Sequence, residues 1–164
     1  KLTLTKEKLT IKKVVNPNKA TLKIITDWFF NWWGKKNGLT YEEVQCYAEH
    51  SVNDSKLPQI FGLFLNNKII GMYEFVLSDF EVRPDIYPWL ANVYIDEKYR
   101  GKGYGRVMLE TVKKSAQENL NFNEIYLYTH HIGLYEKFGW EFVSDFNTFS
   151  KVPKIQRLYK LKLK

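Results

Sequence analysis

The sequence holds a single cysteine, Cys46, so no disulfide can close within the chain, which fits a reducing compartment. No apolar run approaches the ~20 residues that span a bilayer. The first residues lack the apolar core of a signal peptide, and no Cys/His group has the spacing of a zinc site. These absences point to a cytoplasmic protein with no membrane partner and no metal. No Pro/Gly/Ser linker, internal repeat or low-complexity segment divides the 164 residues, a length that suits one domain, 1–164, with one substantial core. Glycine is also sparse. Of nine glycines, three stand at alternate positions in the stretch RGKGYG, residues 100–105.

Apolar residues make up 45% of the chain and aromatics 16%, too much for a disordered chain. The net charge is +7, from 25 Lys+Arg against 18 Asp+Glu. This balance permits nucleic acid, an anionic membrane or a phosphorylated ligand and chooses none of them. Much of the excess lies in KLTLTKEKLTIKK and KIQRLYKLKLK, where polar and apolar residues alternate as in strands. Lysines on solvent-facing and edge positions account for it.

Residues 2–15 read as a strand. Leu22, Ile25, Phe29 and Trp32 recur at helical spacing, and Gly34 and Gly38 supply stop signals. Thr40 with Glu43 three residues on is a capping-box pattern for a second helix. Two runs rich in Ile, Phe and Leu flank Asn66-Asn67, a tight hairpin turn. A proline-containing loop, FEVRPDIYP, leads to the strand WLANVYI. A helix is expected from Tyr104 to about Asn119, with Met108, Val112 and Ala116 inward. Then come the strand EIYLYT, a short helix IGLYEKFG closed by Gly139, and the strands WEFVSDF and QRLYKLKL. The order implies a mixed α/β layer protein with a largely antiparallel sheet.

A strand, a glycine turn and a helix start together make an anion site. The first helical N–H groups have no intrahelical partner, and the helix dipole adds positive potential. Arg100, Lys102 and Arg106 add full charges. A P-loop is absent, since no Lys-Ser/Thr follows the glycines. The dinucleotide fingerprint fails as well, because its last glycine would fall on Arg106 or Met108.

What remains is Arg-x-x-Gly-x-Gly: Arg100, Gly103 and Gly105. This resembles the pyrophosphate loop, [RQ]-x-x-G-x-[GA], of the GNAT-family N-acetyltransferases. VYIDEKYRGKGYGRVMLETV is similar to that family's strand-loop-helix unit, and LYEKFGWEFV resembles its LYxKxGF segment, with Trp140 for the usual Phe. The likeness covers roughly residues 58–146, and two motifs in order about 30 residues apart are far more specific than either alone.

The resemblance implies an α+β fold with a mixed, mostly antiparallel sheet of about six to seven strands, about four flanking helices and a splay between strands four and five. It implies acetyl-coenzyme A as acetyl donor. The phosphates would meet Arg100, Gly101, Lys102, Gly103, Tyr104, Gly105 and Arg106, and the pantetheine arm would meet the backbone of Val93, Tyr94 and Ile95. The backbone N–H of Ile95 or Tyr94 would face the oxyanion. Tyr135 would protonate the leaving thiolate; a phenol pKa of ~10 exceeds that of a thiol. The acceptor would be a primary amine of a small molecule or peptide, attacking directly in a ternary complex. Glu74, Asp79, Asn92, His130 and His131 are the candidates for general base. The family's Asn before the tyrosine is missing from THHIGLY, where Thr129 or His130 would stand in.

The acceptor is expected between the N-terminal helices and the loop before strand four. There Phe29, Trp32 and Trp33 would pack inward, Trp28 or Phe30 would line a groove, and Trp89 would form a pocket wall. No acidic cluster of the kind that grips a polycation is visible, and the +7 charge argues against a polycationic acceptor. A coenzyme-A-binding sensor without turnover, and a basic nucleic-acid-binding module, are the alternatives. Dispersed basic residues and the absence of an RRM or helix-turn-helix pattern speak against nucleic acid. Either a monomer or a homodimer fits.

Overall fold

The computed structural model describes residues 8–80, 82–149 and 154–164. Among these residues, seven strands form one mixed sheet in the order β1-β2-β3-β4-β5-β7-β6, with β1 at Leu9–Lys13, β2 at Gln59–Leu65, β3 at Lys68–Val76, β4 at Trp89–Ile95, β5 at Glu124–Thr129, β6 at Glu141–Asn147 and β7 at Ile155–Lys162. β1 pairs antiparallel with β2, β5 and β6 pair antiparallel with β7, and β4 pairs parallel with β5. The chain separates into two compact units, Lys1–Glu74 with Val93–Gly105, and Phe75–Asn92 with Arg106–Lys164.

In the first unit, α1 (Lys19–Phe29) starts at Asn18, whose side chain accepts the Thr21 N–H. Residues Phe30–Gly34 continue as a wider π-type turn, and Gly38 ends the segment in the left-handed region. α2 (Tyr41–Glu49) carries the full Thr40/Glu43 capping box. Ile25, Trp28 and Phe29 of α1 and Val44 and Ala48 of α2 pack with Ile60, Phe64, Ile69 and Met72 of the β2–β3 hairpin. Asn66 and Asn67 turn that hairpin at φ 49° and 69°. β1 ends at Lys13 rather than at residue 15, because Asn16 takes φ 46° and turns the chain; residues 2–7 of the expected strand lie outside the described residues.

In the second unit, Val76, Phe80, Trp89, Ala91 and Leu158 form a core. The expected single helix is broken into α3 (Tyr104–Glu110) and α4 (Val112–Asn119). The Thr111 hydroxyl and N–H both donate to the Met108 carbonyl three residues back, which tightens the turn there. Met108, Val112 and Ala116 are nevertheless fully buried on one face, as their spacing requires. β7 is an interior strand, so its lysines are not edge lysines; Lys160 and Lys162 alternate with buried Tyr159 and Leu161.

Candidate functional site

β4 is not a regular strand. Asn92 adopts φ 50° in its middle, and β4–β5 pairing registers at Trp89↔Tyr126 alone. A positive φ in a strand breaks the pleat and ends ladder pairing. This is the splay the resemblance implies. Asn92, a candidate base from sequence, thus has a backbone role in shaping the strand.

After β4 the chain makes one turn, Glu97–Tyr99, capped by the Asp96 carboxylate on the Lys98 N–H. Arg100 then folds back. Its Nε donates to the Ile95 carbonyl at 2.8 Å, and its guanidinium lies 5.1 Å from the centre of the Tyr94 ring. Arg100 therefore fastens the loop to the strand end, while its remaining N–H groups stay exposed. Gly101 and Gly103 sit at φ 77° and 84°, and a Cβ on either would meet nothing within 4 Å. Glycine is required at both by backbone conformation, not by crowding inside the protein. Lys102 and Arg106 are exposed; Arg106 reaches Glu110 at 3.6 Å on one helix face. An open backbone turn, two left-handed glycines and three exposed cations fit a diphosphate ligand.

The aromatic cluster beside this strand differs from expectation. Trp28 is buried, its ring 5.3 Å from Tyr94 and its Nε1 donating to Asp96 Oδ2 at 3.3 Å. Trp32 is the exposed member, against Tyr94 at 5.2 Å, and Trp33 packs with Phe29 and Tyr47. The cause is the π-type turn at Phe30–Gly34. It slips the phase that ~100° per residue assigns, so Trp33 continues the inward face and Trp32 leaves it. Trp89 is fully buried, with Nε1 donating to the Ile86 carbonyl; it is core, not a pocket wall.

In the second unit, Tyr135 opens a single turn, Tyr135–Phe138, closed by Gly139 at φ 89°. Its ring packs against Trp140 at 6.1 Å and Tyr159 at 6.2 Å, and burial pushes its hydroxyl up to about 12. The turn is held by its neighbour. Glu136 Oε1 accepts the Tyr159 hydroxyl at 2.6 Å and lies 3.7 Å from Arg157, an arrangement the sequence pattern did not single out.

The model of the acetyltransferase (GNAT) family matches residues 20–140. The chain belongs to the GNAT acetyltransferases. It is an acyltransferase enzyme of a family that uses acetyl-coenzyme A. It is 28% identical over 148 residues to a spermine/spermidine N(1)-acetyltransferase of Bacillus subtilis, covering 85% of this chain and 93% of the relative. Its fold is that of an aminoglycoside 6′-N-acetyltransferase complexed with coenzyme A, with TM-score 0.72, 12% identity and coverage of 94% and 97%. It is also that of a GNAT-family acetyltransferase from Streptococcus pneumoniae, with TM-score 0.66, 18% identity and coverage of 96% and 100%. Among the described residues, no helix is long and apolar enough to cross a membrane, and no three or more His, Cys, Asp and Glu side chains gather as metal ligands.

The remaining GNAT candidates fall in different surroundings. Thr129 is buried and its hydroxyl accepts the His131 N–H, while His130 and His131 are exposed with rings 4.3 Å apart. Partial burial and the neighbouring His130 push the His131 imidazole below its ordinary value. Glu74 is fully buried and accepts the Tyr47 hydroxyl at 2.9 Å. Asp79 lies just beyond β3, half-buried, where burial pushes its carboxyl from 3.8 to about 6.

That rise has a measurable consequence. The fold binds this proton more tightly than the unfolded chain does. The penalty for ionising Asp79 is therefore absent below 3.8, complete above about 6, and erodes stability as pH rises between them. Full burial would make it ~3 kcal/mol, and partial exposure reduces it to roughly 1–2 kcal/mol. Asp79→Asn is expected to gain that amount in urea unfolding at pH 8 and almost nothing at pH 4. Equal stabilities at both pH values would mean an ordinary carboxylate.

Proposed function

We propose that this GNAT protein transfers the acetyl group of acetyl-coenzyme A to a primary amine of a small molecule or peptide, by direct attack in a ternary complex in the cytoplasm. The observation that carries this is the loop after β4: two left-handed glycines, open outward and flanked by Arg100, Lys102 and Arg106. The coenzyme supplies an activated thioester. Gly101–Arg106 bind its phosphates through backbone N–H groups and cations, and Val93, Tyr94 and Ile95 offer strand backbone to its arm. The N–H of Ile95 or Tyr94 orients the acetyl oxygen and stabilises charge on it. Tyr135, kept protonated by burial, donates to the leaving sulfur. Spermine and spermidine, named for the Bacillus subtilis relative, are acceptors to try first, although the net charge of +7 disfavours a polycation.

The test has two steps. Acetyl-coenzyme A should raise the melting temperature in a concentration-dependent way. Thiol release should then appear with at least one member of a panel of alkylamines, polyamines, aminoglycosides and peptide N-termini. Absence of a thermal shift would overturn the coenzyme assignment; a shift without turnover on any amine would favour a sensor.

A further inference from the structure

In the second unit a cavity of about 150 Å³ is lined by Asp79, Phe80, Val82, Tyr128, Thr148 and Phe149. Its walls are aromatic: Phe80 stacks on Tyr128 at 4.5 Å, and Phe149 stands 74% exposed at the rim. Among the described residues, Asp79 is the carboxylate that lines it. No hydrogen bond or ion pair reaches that carboxylate among the described residues. The nearby loop does contain a cation, Arg83, but it is taken. Its Nε and Nη2 both bind Asp85 at 2.8 Å, and its guanidinium rests 5.5 Å from the Phe146 ring centre. Among the described residues, a half-buried carboxyl thus stays unneutralised while a neighbouring cation pairs with an exposed acid.

The chemistry that suits this cavity is narrow. An anion is repelled. A divalent metal wants six or more oxygens, or nitrogen and sulfur donors, and one carboxylate among rings offers neither. An alkylammonium is satisfied on every side: the carboxylate meets its charge, and ring faces meet both its charge and its methylenes. The volume admits an ammonium head with a short alkyl chain. We propose that the Asp79–Phe149 cavity binds the primary ammonium group of an unbranched alkylamine, with Asp79 as counter-ion and Phe80, Tyr128 and Phe149 as the walls. This rests on the acetyl-transfer reading for its purpose: the ammonium held at Asp79 stays protonated and is the non-reacting end of an acceptor that carries a second, neutral amine. Burial has already raised the Asp79 carboxyl to about 6, so a cation seated there offsets a cost the free protein carries.

The experiment uses n-butylamine, with 1-butanol as its neutral isostere, in the absence of coenzyme. Backbone amide shifts are followed in a two-dimensional NMR titration at pH 7.5. The expected result is saturable movement of resonances from residues 79–80, 128 and 148–149, with 1-butanol at least ~tenfold weaker, as a charge-assisted contact requires. Asp79→Asn should weaken n-butylamine binding by a similar factor. Phe149→Ala, at an exposed position that leaves the fold alone, should weaken it several-fold. In turnover assays Asp79→Asn should raise the KM of an unbranched diamine at least ~tenfold and leave acetyl-coenzyme A affinity within twofold. Equal binding of amine and alcohol, shifts confined to other residues, or an unchanged Asp79→Asn titration overturns the proposal. Failure of acetyl-coenzyme A to bind overturns the enzymatic reading instead, and the amine titration still decides the cavity.

Discussion

Tyr135→Phe is expected to lower kcat by roughly 10²-fold while leaving acetyl-coenzyme A affinity within twofold and the melting temperature nearly unchanged. The side chain is buried against Trp140 and Tyr159, and no hydrogen bond engages its hydroxyl among the described residues, so phenylalanine keeps the packing and removes one O–H. The size follows from the proton's energetics. Burial pushes this phenol up to about 12, above the ~8.5 of a thiol, so full transfer to the leaving sulfur is uphill. In the proposed reaction Tyr135 would therefore hydrogen-bond to charge as it grows on sulfur, with solvent completing the protonation. This places the effect at the low end of the ~10²- to 10⁴-fold range for a positioned acid. It also fixes the pH profile. An alkaline limb in kcat below pH ~10 would not arise from Tyr135 ionisation and should persist in Tyr135→Phe. Steady-state kinetics from pH 6 to 10 on both proteins check this. Equal kcat values would remove Tyr135 from the mechanism.

The parts of this fold visible in the sequence are those fixed by neighbours along the chain. The Thr40/Glu43 box, the Asn66-Asn67 turn and the Met108/Val112/Ala116 face each depend on contacts within a few residues. What escaped depends on pairings between distant segments. Nothing in WEFVSDF or QRLYKLKL tells that the last strand inserts between β5 and β6. The break at Thr111 turns on one hydroxyl choosing a carbonyl, which periodicity does not register. The assignments of Trp28 and Trp32 failed for a related reason, while Trp33 packs inward as expected. WFFNWWG carries aromatic residues on too many faces for a 3.6-residue pattern to select one, and the π-type turn then shifted the phase.

The candidate site divides in the same way. RGKGYG is readable as a tight loop because left-handed backbone demands glycine, and the structure places Gly101 and Gly103 in that conformation. Tyr135 is recognisable from LYEKFG, yet the Glu136–Tyr159–Arg157 contacts that hold its turn join residues more than 20 positions apart. Asp79 could be named as an acid on the third strand but not distinguished from Glu74. Only folding gives one the Tyr47 hydroxyl and the other a cavity of rings. Local chemistry thus marks the loop proposed for the donor, while the proposed acceptor cavity depends on surroundings assembled from remote loops.

Gly103→Glu should abolish acetyl-coenzyme A binding, weakening it by more than ~10²-fold, without unfolding the protein. Gly103 sits at φ 84°, so any side chain there pays roughly 1–2 kcal/mol of backbone strain. The space beyond its Cα is open, so the new side chain meets no protein atom at Cβ and the melting temperature should fall by only several degrees. The loss of binding comes from charge. A carboxylate would stand where the loop presents backbone N–H groups, and Arg100 and Lys102 flank the same turn, so it would both repel the phosphates and draw those cations away from them. Gly103→Ala separates the two causes. It carries the same strain without the charge, so its thermal loss should match that of the glutamate while its coenzyme affinity falls far less. Isothermal titration of both variants, with melting curves alongside, reads the comparison directly. If Gly103→Glu binds acetyl-coenzyme A as the wild type does, the phosphates sit elsewhere on the protein. If alanine and glutamate lose affinity equally, backbone shape and not charge governs the loop.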